Sequence, residues 1–412
     1  MTSRGGARWN RRAGPIGTFR LQQLVLFEIA VAVLLCAWVV GPVLLGPAGV
    51  AAAVLVVLAA VRRRRRSLPA WLGTVVALRT RARRAASQLP ATGAAGAASP
   101  VAPLTECVPA LHTCSFTHRD RRPVGMVGDG THLTVVLRVD AQDTVLRADR
   151  TVRPLPPGLV REVMDVDGIR LESARIVQHT RTAPAPHLPG DAVATLNYAP
   201  LQARTGSPAV RLTWITLTLD PELCPEAVRA RGGGLAGAQR CLLRVAEQLS
   251  GRLTGAGFGA TVLTEQELGS ALAAAACADT AATVGDGSAP PVPPARRTRE
   301  TSRTWSCDGR WHTAYWVRRW PRSGNAPMPR LVALLTSVPA LATTFSLTLA
   351  RGDRQEVAAS GHLRISARSG EELRAARSEL ERVARGVRVS LVRLDREQLP
   401  GVLATLPLGR TR

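Results

Sequence analysis

The chain has 412 residues, with 54 Arg and no Lys against 30 acids, a formal net charge of +24 and a sequence pI of about 11.5. A chain without Lys cannot carry a nucleotide-binding P-loop. The first 100 residues hold 14 Arg and one acid, Glu28, so the basic excess is densest beside the most apolar segment, which argues for a membrane-surface role and against a general nucleic-acid binder.

Residues 1–23 form a short basic N-terminus. The apolar block Leu24–Val61 follows, and it is too long for one straight span of a hydrocarbon core about 30 Å thick. Gly41, Pro42, Gly46 and Pro47 supply turn chemistry near its midpoint, so the block is read as a transmembrane helical hairpin, Leu24–Val40 and Val43–Val61. Arginines flank both ends, which predicts a two-pass protein of the cell membrane with both termini cytoplasmic. A cleaved signal peptide fits poorly, because its apolar core spans only about 7–15 residues. Glu28, the lone acid in the spans, either reaches the headgroups or pairs with an Arg of a partner span.

Residues 62–105 read as an Arg-rich juxtamembrane segment and flexible linker. Arg62, Arg63, Arg64, Arg65 and Arg66 predict contact with anionic membrane lipids, and Trp71 sits near the headgroups on an amphipathic helix Ala70–Ala86. The stretch Ser87–Pro103 has no periodicity.

The remainder divides into a first α+β half, 106–277, a Pro/Ala-rich linker, 278–300, and a second α+β half, 301–412, with a further low-complexity insert at Thr182–Pro208. In the first half strand patterns fall at His132–Val139, Ile169–Thr180, Arg211–Leu219 and Ala260–Leu263, with helices at Pro157–Asp165 and Leu235–Thr254. In the second they fall at Trp311–Arg319, Thr343–Arg351, His362–Ala367 and Val387–Leu394, with helices at Pro329–Ser337 and Gly370–Ala384. Both halves read β-α-β-β-α-β, a ferredoxin-like order. Asp129-Gly130 and Asp308-Gly309 predict equivalent two-residue turns, and Thr264/Glu267, Ser369/Glu372 and Asp395/Gln398 predict capping boxes. The expected fold class is a membrane-anchored α+β protein, a hairpin followed by two such halves.

No H-E-x-x-H, nucleophile elbow or dinucleotide fingerprint is present, so no catalytic, cofactor or metal residue is assigned. Cys107, His112, Cys114 and His118 cluster, but at spacings unlike a zinc site, which leaves metal binding open. His132 and His312 fall at comparable places beside the Asp-Gly turns and read as structural. Trp305, Trp311, Tyr315, Trp316 and Trp320 crowd a short segment with several arginines. Strand alternation places Trp316, Arg318 and Trp320 on one face as candidate partner contacts.

The basic N-terminus, the apolar pair, the Arg-rich exit and an α+β domain opening on GMVGDGTHLTVVLRV resemble the EccE family, most specifically over Arg62–Thr180 with VGMVGDG and PLPPGLV. That resemblance implies a non-enzymatic subunit of an actinobacterial type VII (ESX) secretion membrane complex, beside EccB, EccC and EccD, supporting assembly and export without binding nucleic acid. Two alternatives stay open: a membrane-anchored, transferase-like enzyme whose site no motif reveals, and a membrane-tethered regulator or nucleic-acid binder.

Overall fold

The computed structural model describes residues 16–41, 45–60, 62–63, 66–87, 99–117, 122–141, 154–181, 193, 196–197, 200, 210–278, 296–321, 328–352 and 356–409. Two compact units result, Met1–Ser87 and Gln88–Arg412. The inserts 182–208 and 278–300 and the linker 87–103 fall largely outside the described residues.

In the first unit, helix α1 (Ile16–Val40) and helix α2 (Leu45–Ala60) pack on each other through small residues, with Ala30, Ala37 and Ala52 buried. Gly41 ends α1 at φ +146°, a backbone state that residues with a side chain rarely adopt. A two-strand ribbon, β1 (Arg62–Arg63) and β2 (Arg66–Ser67), leads into helix α3 (Leu68–Ser87). Among the described residues no helix is long and apolar enough to cross a membrane. That finding corrects the transmembrane hairpin and the two-pass topology expected from the apolar block. The physical reason lies in where the helices begin and end. The 16-residue α2 spans about 24 Å, short of a core of about 30 Å. Helix α1 is longer, but it starts at Ile16 and takes Arg20, Gln22, Gln23 and Glu28 into its length.

The second unit is built on one antiparallel sheet of twelve strands. Its first half contributes β3 (His112–Phe116), β4 (Val124–Gly128), β5 (Leu133–Ala141), β8 (Ser173–Arg181), β9 (Val210–Leu219) and β10 (Phe258–Val262). A small separate ribbon, β6 (Asp165–Val166) with β7 (Ile169–Arg170), precedes β8. The second half contributes β11 (Thr298–Glu300), β12 (Trp305–Cys307), β13 (Arg310–Arg319), β14 (Ala342–Arg351), β15 (Val357–Ala367) and β16 (Ser390–Arg393). Val, Ile, Thr and aromatic residues dominate the long strands, the types that suit a pleated, half-buried surface.

Strand order is the same in both halves. In the first, β10, β5, β9 and β8 lie side by side in that order; in the second, β16, β13, β15 and β14 do. The β3–β4 hairpin extends the first half beyond β5, and β11–β12 extends the second beyond β13. The two halves share one continuous sheet. Each four-strand order leaves one long edge, β8 and β14, and those edges pair antiparallel from Ser173↔Ala350 to Arg181↔Ala342. An exposed edge carries a row of free N–H and C=O groups, and joining the two removes both liabilities at once.

Helices α5 (Pro157–Glu162) and α7 (Gly234–Gly255) cover one sheet face in the first half, with Leu242, Val245, Ala246, Leu249 and Leu253 inward; α6 (Pro225–Ala230) precedes α7. Helices α9 (Met328–Thr336) and α10 (Gly370–Gly386) cover the same face in the second, where Leu373, Ala376 and Leu380 are buried. The opposite face is capped by α4 (Ala102–Thr105), α8 (Glu265–Ala276), α11 (Gln398–Leu403) and the C-terminal segment through Leu408.

Turns and caps show where local reading reaches its limit. Asp308-Gly309 forms the expected two-residue turn, both residues at positive φ, between the paired Cys307 and Arg310. Its counterpart is a four-residue loop between Gly128 and Leu133, closed by the Asp129 carboxylate accepting from the Thr131 and His132 backbone N–H groups at 2.9 and 2.7 Å. The Thr264/Glu267 capping box opens α8. Ser369 caps α10, while Glu372 reaches the Arg368 N–H instead. The Asp395/Gln398 box does not form: Asp395 pairs with Arg393 and Gln398 bridges the Ala314 N–H and the Leu394 carbonyl.

Candidate functional site

The first unit presents an apolar surface. Ile29, Val31, Leu34, Leu35, Trp38, Val39 and Val40 of α1 are exposed, as are Val50 and Val54 of α2 and Leu72 and Val76 of α3. A seam of alanines lets the two helices approach closely and turns their large side chains outward. Contiguous apolar surface of this kind marks a site that something else covers. Glu28 is exposed on α1. Gly46 and Pro47 lie inside the first turn of α2 rather than in the connection, and Pro42 falls outside the described residues. Arg62, Arg63 and Arg66 belong to the β1–β2 ribbon, Arg64 and Arg65 are outside the described residues, and Trp71 is half-buried on α3.

The second unit separates the aromatic candidates. Trp316 is half-buried and Arg318 exposed on β13. A bulge between Val317 and Arg319 breaks the alternation of β13 against β16. Trp320 therefore turns to the helix-covered face, where it meets Phe345 edge-on at 6.0 Å and lies over Gly361, whose hypothetical Cβ would stand 2.6 Å from the indole. Trp316 and Trp320 do not share a surface.

The Cys/His cluster also divides. Cys107 packs with the capped face and Cys114 with the face under α7, and His118 lies outside the described residues. Among the described residues no group of three or more His, Cys, Asp or Glu could hold a metal ion. His132 is held by Glu172, at 3.1 Å from Nε2, and by Asp129, at 3.4 Å from Nδ1. His312 is fully buried, bonded through Nδ1 to Ser366 Oγ at 2.8 Å and tilted against the Trp305 ring at 5.0 Å.

Beneath α8 and α11 the sheet carries a buried polar layer that strand alternation alone assigns to solvent. Arg175, on β8, is fully enclosed: Nη1 donates to the carbonyls of Leu403, Leu406 and Leu408 at 2.9–3.0 Å, and Nε donates to Thr348 Oγ1 at 3.0 Å. Arg364, on β15, is likewise enclosed, and its Nη2 donates to the Ala275 carbonyl and to Thr344 Oγ1. Each guanidinium thus neutralises the carbonyl end of a helix, and each does so across the repeat. Arg175 of the first half holds α11 of the second, and Arg364 of the second holds α8 of the first. A cation is favoured at a helix C-terminus because unsatisfied carbonyls and the dipole concentrate negative charge there. Burial pulls both guanidinium pKa values down to about 10, which leaves them charged near neutral pH. Burial, with nearby arginine charge, also holds His179 and His312 well below the usual imidazole range, and brings His362 to about 4.

The model of the family described as "Putative type VII ESX secretion system translocon, EccE" matches residues 207–317. Over this segment the chain is similar to the EccE family. The matched segment runs from β9 through α7, β10 and α8 to β13, so it takes in the end of one repeat and the start of the next. It lies beyond Arg62–Thr180, the portion that carried the sequence resemblance. No curated protein matches the chain. The matched family implies a type VII secretion translocon component, associated with a membrane complex.

Proposed function

We propose that this chain is a non-enzymatic assembly subunit of the type VII secretion translocon, and that the outward apolar faces of α1 and α2 bind apolar helices of partner subunits among EccB, EccC and EccD. The observation that carries the reading is the contrast between the two units. Exposed large apolar side chains crowd α1 and α2, whereas few described ones, Trp311 and Leu235 among them, are exposed in the duplicated sheet unit. Surface of that kind is stable only when covered. Arg62–Arg66 and Trp71 fit contact with anionic headgroups. Trp316 and Arg318 offer a second contact of the residue types that concentrate at interfaces.

The test is a full-length variant carrying Leu35→Ser, Trp38→Ser and Val39→Ser. It should keep the thermal unfolding of the native chain, because these side chains are exposed, and should fail to co-purify with the secretion complex. Unimpaired assembly and export by this variant would place the binding surface elsewhere and refute the proposal.

A further inference from the structure

We infer that Arg364, His179 and His312 form an internal binding site for a single small monovalent anion of the chloride class. The three side chains lie on one face of three strands. His179 on β8 is opposite Thr344 on β14, Thr344 is opposite Arg364 on β15, and His312 on β13 is opposite Ser366, two residues along β15 from Arg364. Strand spacings of about 4.8 Å and a rise of about 3.4 Å per residue put the His179 and His312 Cα atoms roughly 8–10 Å from that of Arg364, within reach of one ion for side chains this long. All three are wholly buried.

The hydrogen bonds fix which atoms remain. Arg364 spends Nη2 on Ala275 and Thr344, and its Nε and Nη1 have no partner. Thr344 Oγ1 accepts from Arg364 and lies 2.8 Å from His179 Nδ1, a contact in which the ring nitrogen takes either role, and His179 Nε2 is buried without a partner. His312 repeats the arrangement, with Nδ1 on Ser366 and Nε2 without a partner. The result is two guanidinium nitrogens and two imidazole nitrogens without partners, and an anion there selects the tautomers that carry their protons on Nε2. Both imidazoles are neutral, because burial and nearby arginine charge, from Arg364 on both and from Arg181 on His179, oppose their protonation, so the positive charge of the layer is carried by its arginines. Arg364 makes no ion pair among the described residues. Cys307, close enough to feel its charge, is a neutral thiol, its pKa pushed far up by burial and by Asp308. One small anion offsets the Arg364 charge and occupies the donors.

Arg175 supplies the internal comparison. In the equivalent device Nε and Nη1 are both taken by oxygen atoms of the fold itself. Only the Arg364 copy keeps donors to spare.

The experiment is thermal unfolding of the full chain at constant ionic strength, with gluconate replaced stepwise by chloride or bromide. A ligand bound only by the folded state raises Tm with concentration. The native chain should gain several degrees in either halide. Arg364→Met should lose that dependence, and Arg364→Lys, which keeps the charge but not the fork of donors, should weaken halide affinity at least tenfold. Equal Tm in gluconate and halide for the native chain would overturn the inference, as would a halide shift that survives Arg364→Met. Should Arg364→Met fail to fold, bromide in crystals of the native chain decides: an anomalous peak beside Arg364 is expected, and none there refutes the site.

Discussion

Replacing Arg175 with Met tests whether the two repeats are held together by the exchange of helix caps. Three N–H donors lose their acceptors, Nε its bond to Thr348 and the two hydrogens of Nη1 their shared bonds to the carbonyls of Leu403, Leu406 and Leu408. Bonds of this type contribute roughly 1.5–3 kcal/mol each, so their sum is about 5–9 kcal/mol. Two effects reduce that figure. Removing the guanidinium recovers its burial penalty, roughly 3 kcal/mol for a pKa brought from 12.5 down to about 10. The Leu403 carbonyl also keeps a bond from the Leu406 N–H, so it is not orphaned. We expect a net loss of about 3–5 kcal/mol, the range seen when one member of a buried charged contact is removed. Urea unfolding near neutral pH reads this as a fall in midpoint at constant slope. A chain ending at Thr405 provides the second arm. It loses the buried Leu406 and Leu408 and two of the acceptors of Arg175. In that background Arg175→Met should cost at least about 1 kcal/mol less than in the full chain, because the cation is already short of partners. A cost below about 1 kcal/mol in the full chain, or strict additivity of the two changes, would show that the guanidinium does not hold the C-terminal segment.

Stability should also fall on acidification below about pH 6.5. His179, His312 and His362 are kept below their unfolded pKa, so the unfolded chain takes up protons that the folded chain refuses. Their stabilisation is complete above 6.5 and is lost at up to about 1.4 kcal/mol per pH unit for each histidine as pH drops toward 4; a flat midpoint between about pH 7 and pH 5 would contradict this. Gly125→Val should cost about 1–3 kcal/mol by denaturant unfolding, since a Cβ at Gly125 would stand 2.5 Å from the Glu265 backbone nitrogen at the start of α8 and neither backbone can give. Trp320→Ala should cost about 2 kcal/mol through its lost packing on Phe345 and Gly361, whereas Trp316→Ala should change stability by less than about 1 kcal/mol; equal losses would mean the bulge in β13 does not separate them.

Within each half, period-2 and period-3.6 patterns in the sequence were enough to locate the long elements. Apolar residues at every second position mark β5 and β9, and Leu373, Ala376 and Leu380 mark the buried stripe of α10, because a half-buried element must repeat its apolar face at its own period. The Asp308-Gly309 turn was legible for a similar reason: two consecutive positive φ values are tolerated by few residues. What lies beyond one element was not legible. Whether β8 and β14 stay as edges or join depends on backbone groups that every residue has, so no side chain signals it. The apolar block read as a hairpin because mean hydropathy is blind to where helices start and stop, and the structure sets those limits at Ile16, Val40, Leu45 and Ala60. The alternation of Arg175, Val177 and His179 says that one face of β8 differs from the other and says nothing of what covers it. Only the tertiary structure decided that α8 and α11 close over that face, making Arg175 and Arg364 buried cations that cap helices from the opposite repeat.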